Sequence, residues 1–221
     1  VLSTLFADLR YGVRLLRQSP VFGAIAVIAL ALGIGANTAI FSTVDTLILR
    51  ALPYRNPDSV VMVWEDASFA GFPKNTPAPG NYYEWKARNT VFTDLAATRG
   101  TIANLSADGP PEQVLGRRVT ANFFDVLGTP PLLGRSFTEE EDRTNPNLVL
   151  ISYALWQRRY AGDPGIVNST ILMNGLKYTV LGVMPRNFVF MNREVEYWTP
   201  THFTPTEIVD HGSHYLNVVA R

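Results

Sequence analysis

VFGAIAVIALALGIGANTAI, residues 21–40, decides how the rest of the chain is read. No ionisable side chain lies between Arg17 and Asp45, and from Val21 to Ala36 no side chain can form a hydrogen bond. A helix that crosses a bilayer needs about 20 mainly apolar residues, because lipid offers the backbone no partner and the helix must satisfy its own amides. One central charge costs such a helix roughly 2.5 to 3.5 kcal/mol, against about 0.3 to 0.6 gained per Leu, Ile, Val or Phe. The charge-free window therefore predicts a membrane span. Two other readings compete. A signal peptide usually carries an apolar run of about 7 to 15 residues and then a small-residue cleavage site; here the helical pattern runs on as FSTVDTLILRAL, with no breaker before Pro53. A buried helix of a soluble protein seldom goes about 16 residues without a polar position.

The flanks predict the orientation. Arg10, Arg14 and Arg17 precede the span, whereas Arg50 and Arg55 behind it are balanced by Asp45 and Asp58. That asymmetry favours a cytoplasmic N-terminus, with everything after about residue 50 on the far side of the inner membrane. Within the span, Ala31, Gly35 and Ala39 recur every fourth residue, a ridge of small side chains that lets a second helix approach closely. The competing reading is that alanine and glycine are common in any membrane helix. Upstream, STLFADLRYGVRLLR places Leu5, Phe6, Leu9, Val13 and Leu16 at helical spacing away from the arginines. It predicts an amphipathic helix lying on the cytoplasmic face of the bilayer. A helix over 21–49 would be roughly 44 Å long against a hydrocarbon core of about 30 Å, so its last turns should project as a stalk.

The chain has 221 residues with 19 basic and 19 acidic, so no net charge suggests nucleic acid as a partner. With no cysteine, thiol catalysis, disulfides and cysteine-ligated metals are excluded. Past the span the sequence alternates between strand and helix patterns. SVVMVWE (59–65) predicts a strand, residues 66–81 a loop rich in glycine and proline, and YYEWKARN (82–89) a helix capped by Asn81. FTDLAATRG and TIANLSADG read as short strands separated by a glycine. PPEQVLGRRVT continues the strand pattern, and ANFFDVLG is a short helix closed by its glycine. Residues 129–146 read as a loop with an acidic cluster at 139–142, NLVLIS as a buried strand and YALWQRRYAG as a helix. STILMNGLKYTVLGVMP places Asn-Gly between two strand runs, the preferred chemistry of a two-residue hairpin turn. VEYWTP and HYLNVVAR supply further strands, and the chain stops at Arg221 at or just after the last of them, as a piece of a longer protein would.

No constellation predicts catalysis. There is neither a phosphate loop ending in Gly-Lys-Ser/Thr nor a glycine-flanked nucleophilic serine. His202, His211 and His214 lie near Asp210, but an H-x-x-H pair converges on a metal only when helical, and this stretch reads as loop and strand. The acidic cluster lacks the ligand spacing of a calcium loop and reads as a solvated turn. Trp64, Trp85, Trp156 and Trp198 each sit in an apolar or amphipathic element and read as domain core. Asn168-Ser-Thr matches a glycosylation acceptor and is read as a chance match.

Several runs carry a family resemblance over nearly the whole chain. LRYGVRLLRQSPVF and IALALGIGANTAIFSTVDTLILRALPY resemble the start of an ABC-transporter permease of the MacB-like, FtsX-like class, closest to the acidobacterial duplicated orphan permeases. RRVTANFFDVLGTPPLLGRSFTEEED, VLISYALWQRRYAGDPGIV, ILMNGLKYTVLGVMP and YWTP resemble that group's periplasmic core domain in order and spacing. Two departures stand out: Asn168 occupies the place of an expected glycine after GDPGIV, and NYYEWK follows a proline-rich NTPAPG.

Residue pattern and resemblance together predict an α+β protein with an interfacial helix (1–19), a transmembrane helix and stalk (20–50), and a MacB-like periplasmic core domain (51–221) cut short at its C-terminus. The resemblance also implies a permease subunit, not an enzyme, with no cofactor of its own. ATP would be bound by a partner ABC subunit, and the permease would work as a homodimer or pseudo-dimer in the lipid bilayer, with a periplasmic adaptor as a further partner and efflux as one use. The rivals are a signal-anchored periplasmic binding or adaptor domain without an ATPase, and a tethered hydrolase, for which no nucleophile and base pair is evident.

Overall fold

The computed structural model describes residues 11, 12, 14, 18–44, 54–107 and 109–221. Most of the amphipathic helix expected over 3–17, Arg10 and Arg17 included, and the stalk expected beyond Val44 lie outside the described residues. The chain divides into two units, Val1–Ala51 and Leu52–Arg221.

In the first unit, α1 (Pro20–Val44) is a single uninterrupted helix, with Pro20 in its first turn where the missing N–H costs nothing. Its segment Pro20–Ser42 is long and apolar enough to cross a membrane, at about 1.5 Å per residue over 23 residues.

The second unit is a mixed α+β domain built on one large sheet. Its strands are β1 (Val61–Val63), β4 (Leu95–Ser106), β5 (Glu112–Val119), β6 (Leu133–Gly134), β7 (Leu148–Ile151), β8 (Thr170–Met173), β9 (Leu176–Val183), β10 (Val195–Pro200) and β11 (Asn217–Ala220). They run in the order β1-β11-β4-β5-β10-β7-β9-β6. β5 with β10 and β7 with β9 are parallel pairs; the other neighbours are antiparallel. β8 pairs with both β9 and β4 and so joins β4, β5, β10, β7, β9 and β8 into a ring. The ring closes only at one end. Leu105 and Ser106 of β4 pair with β8, while residues 95–98 on the same edge pair with β11, so β11 and β1 fan out from the other end.

Period-2 alternation sends the sheet's side chains into separate cores. One face holds Ala103, Leu105, Val114, Val149, Ile151, Val180 and Tyr197, covered by Leu155 and Trp156 of α5 (Tyr153–Tyr160). Along β11 and the start of β4, Tyr82 of α2 (Pro79–Arg88) packs on Leu95, Ala97 and Val218. The opposite face is aromatic: Phe123 and Phe124 of α3 (Phe123–Leu127) meet Phe137, Phe188, Phe190 and Trp198. Their rings make edge contacts, Phe123 to Phe190 at 5.0 Å and Phe188 to Trp198 at 5.3 Å, a geometry that suits the ring quadrupoles.

Several expectations hold at residue level. Asn174 and Gly175 turn β8 into β9 with φ of 52° and 77°, the two positive values a type I′ hairpin needs. Gly128 closes α3 in the left-handed region, as a C-terminal glycine should. Asn168 has φ of 68°. The expected glycine is thus replaced by a residue type that tolerates the left-handed region better than most.

Other expectations are corrected. Residues 66–81 are not all loop: β2 (Glu65–Ala67) and β3 (Phe72–Asn75) form a small separate hairpin. The next helix begins at Pro79, not after Asn81, because a proline is favoured at the first helical position. The glycine inside LAATRGTIANLS does not split the strand. Gly100 lies within β4, whose pairing with β5 continues on both sides of it and outweighs the roughly 0.5 to 1 kcal/mol that an interior glycine costs. The acidic cluster is helical, in α4 (Glu139–Thr144), because Thr138 and Glu141 form a capping box that satisfies each other's backbone N–H. Trp64 is not core: it stands 38% exposed between β1 and β2, whereas Trp156 and Trp198 are buried.

Candidate functional site

The span expected to do the membrane work is α1. Its large side chains Val21, Phe22, Ile25, Leu30, Ile34 and Phe41 are exposed, so it presents an apolar surface of the kind lipid covers. Ala31, Gly35 and Ala39 fall on this helix at successive four-residue steps and are exposed; a Cβ built on Gly35 would meet nothing within 4 Å. Of the three arginines, Arg14 is described and is exposed on helical backbone.

In the second unit, the histidines do not converge. His214 Nδ1 lies 2.8 Å from Glu65 Oε2, His211 Nδ1 lies 2.5 Å from Asn81 Oδ1, and the His202 ring faces the Asp142 carbonyl at 3.3 Å. Each is engaged with a different element, and no group of three or more potential metal ligands occurs among the described residues. The acidic cluster is likewise used internally. Glu141 takes both Arg135 Nη atoms at 2.6 and 2.7 Å, and that partner chiefly holds its carboxyl down at about 2. Asp142 accepts from the Ala121 and His202 backbone N–H groups and from the Thr201 hydroxyl, tying α4 to the ends of β5 and β10.

The arrangement that sequence reading did not single out is centred on Arg117. Leu115, Arg117 and Val119 alternate along β5, so Arg117 points to the same side of the sheet as apolar neighbours and is only 8% exposed. Its Nε donates to Thr98 Oγ1 at 2.9 Å and Nη2 to Asn217 Oδ1 at 2.5 Å. The Phe190 ring lies 5.4 Å from its guanidinium carbon. Among the described residues no carboxylate pairs with it. Burial pushes this guanidinium's pKa down, though an arginine stays charged at neutral pH. A buried ion without a counter-ion commonly costs several kcal/mol, which the polar contacts and the ring only partly offset.

Arg117 borders a cleft of about 530 Å³, whose other walls include Gly100, Ile102, Leu115, Asn192 and Val195. The aromatic core builds the far wall: Phe190 is held on Phe123, which fixes the segment leading to Asn192. The signal that could have exposed this site was a charge at a buried strand position, visible in VLGRRV once the strand's faces are known.

A family model described as the MacB-like periplasmic core domain matches residues 24–221. No curated protein sequence matches the chain. Among solved structures, the periplasmic region of MacB from Actinobacillus actinomycetemcomitans is similar at 12% identity and a TM-score of 0.54, over 73% of this chain and 72% of that one. A domain of a permease protein from Porphyromonas gingivalis is similar at 13% identity and a TM-score of 0.60, over 76% of each chain. The extracellular domain of the noncanonic ABC-type transporter YknZ from Gram-positive bacteria is similar at 12% identity and a TM-score of 0.51, over 73% of this chain and 81% of that one. At these identities the likeness is one of fold.

Proposed function

The chain belongs to the MacB-like periplasmic core domain family, and we propose that it serves as a permease subunit of an ABC-type transporter or mechanotransmission complex. Its organisation would be an interfacial helix over 1–19, a span and stalk over 20–50 and a periplasmic domain over 51–221. The observation that carries this reading is that the family match runs from Ala24 to Arg221, so most of the apolar helix and the whole folded domain fall in one family unit. An anchored binding domain would need only the membrane attachment; a helix and domain matched together suit a device that moves one through the other.

On this reading Arg10, Arg14 and Arg17 hold the N-terminus in the cytoplasm, and the Ala31, Gly35 and Ala39 ridge seats a second permease helix. A separate ABC subunit binds ATP, the stalks respond to it, and the motion reaches the periplasmic domain and any adaptor bound there, as efflux would require. The reading as a duplicated orphan permease rests on the resemblance of RRVTANFFDVLGTPPLLGRSFTEEED and the runs that follow it.

Residues 1–221 contain no cysteine, so once any cysteines elsewhere in the permease and its ABC subunit are replaced, a single introduced thiol reports without background. Ala31→Cys in membranes containing the full-length permease and its ABC subunit should crosslink to a second copy, and the yield should change on adding ATP with vanadate. A thiol placed at Ser213 should react with an impermeant reagent from outside the inner membrane. Crosslinking that ignores nucleotide would favour an anchored domain without an ATPase.

A further inference from the structure

The cleft beside Arg117 has the features of a ligand site and no part in the transmission described above. From these features we infer that it binds a small carboxylate-bearing compound with an apolar body, the carboxylate on the Arg117 guanidinium and the body over the strand surface between Gly100 and Ile102.

The charge side of the argument is the guanidinium. Arginine has five N–H donors, and Thr98 and Asn217 occupy only Nε and one position on Nη2. Those bonds, with the Phe190 ring, lock the fork before any ligand arrives, so a carboxylate meets a preorganised donor pair. Thr98 and Asn217 are neutral, so one negative charge is what the site lacks. The apolar side is the wall. Ile102 is 53% exposed although it lies on a central strand, and Leu115 and Val195 line the same cleft. Gly100 pairs directly across from Arg117, and a Cβ built there meets nothing within 4 Å, so the sheet surface next to the charge is open. At about 530 Å³ the cleft falls in the range that small-molecule sites occupy.

The competing explanation is that Arg117 only bolts β5 to β4 and β11. The two differ in what the empty space does. The test titrates 4-fluorophenylacetate into the full chain in lipid nanodiscs and follows the ¹⁹F signal, with protein-free nanodiscs as the blank. Saturable binding is expected, weaker by about tenfold or more for the uncharged 4-fluorophenylacetamide. Arg117→Gln should weaken the acid by a similar factor and leave the amide unchanged. Gly100→Leu fills the cleft from a position with room for a side chain and should abolish binding of both probes without lowering the melting temperature. It decides the matter even where Arg117→Gln fails to fold. Equal binding of acid and amide, or unaltered binding in Gly100→Leu, overturns the proposal. So does displacement of the probe by inorganic phosphate at equal concentration, since the apolar wall would then contribute nothing.

Discussion

The ring of Tyr197 lies across Gly116, its partner in the parallel ladder of β5 and β10, so closely that a Cβ at position 116 would come 2.2 Å from Tyr197 Cζ. The glycine makes room for the aromatic ring inside the β-ring, where Tyr197 is 3% exposed and joins the core with Val114 and Ile151. Gly116→Ala should therefore destabilise the domain by about 1 to 3 kcal/mol through overpacking. Thermal melting should show a fall of roughly 2 to 4 °C for each kcal/mol lost. The same substitution in a Tyr197→Leu background should cost much less; an equal cost in both backgrounds would break the link between the two residues.

Asn168 and Gly175 test the backbone. With φ of 68°, Asn168 sits where glycine has no steric penalty at all, so Asn168→Gly should be neutral or slightly stabilising, and Asn168→Val should cost about 1 to 2 kcal/mol. Gly175→Val, at φ of 77° in the hairpin turn, should cost at least as much and loosen β8 from β9. Urea unfolding of the three variants gives the order directly.

Acid stability should carry the mark of Glu141. Its carboxyl titrates at about 2 in the folded domain, chiefly because Arg135 holds its charged form, against 4.5 for the free group. As pH falls the unfolded chain takes up this proton first. The stabilisation is therefore fully present above about pH 4.5 and is lost between there and about pH 2. Arg135 is half exposed, so solvent screens the pair and its worth at neutral pH is about 1 kcal/mol or less. Glu141→Gln should flatten the stability profile across that window and leave its shape above pH 5 unchanged.

Arg158 bridges Glu196 at 2.7 Å and Glu112 at 2.6 Å, and the two carboxylates, Glu196 first, raise its pKa. Arg158→Ala removes the partner the two acids share and leaves Glu112 only its longer contact with Arg159 at 3.5 Å. A loss of about 1 kcal/mol is expected at low ionic strength, shrinking as salt is raised through 0.5 M. A loss that ignores salt would point to packing of the arginine stem instead.

On α1, Gly35→Leu should lower the crosslinking yield of Ala31→Cys several-fold while insertion is kept, because the ridge is raised by a bulky side chain. Gly35→Arg should in addition impair insertion, since a central charge costs roughly 2.5 to 3.5 kcal/mol. Unchanged crosslinking and membrane yield in both variants would remove the ridge from the mechanism.

What the amino-acid sequence settled by itself are the features whose cause lies within a few residues. A charge-free run makes a membrane-length helix wherever it sits, Asn174 and Gly175 make a hairpin turn by their own backbone preferences, and Gly128 ends a helix in the same way. The capping box of Thr138 and Glu141 was equally local and equally readable, but it was hidden under the reading of its acids as a solvated turn. What only the tertiary structure decided depends on residues far apart in the chain. β8 closes the ring because Leu105 meets Met173, and Gly116 is indispensable because Tyr197 arrives over it. Arg117 is a site only because Thr98, Phe190 and Asn217 converge on it from three other stretches. No local pattern encodes such meetings: they follow from strand order and register, set by the burial of a whole sheet at once.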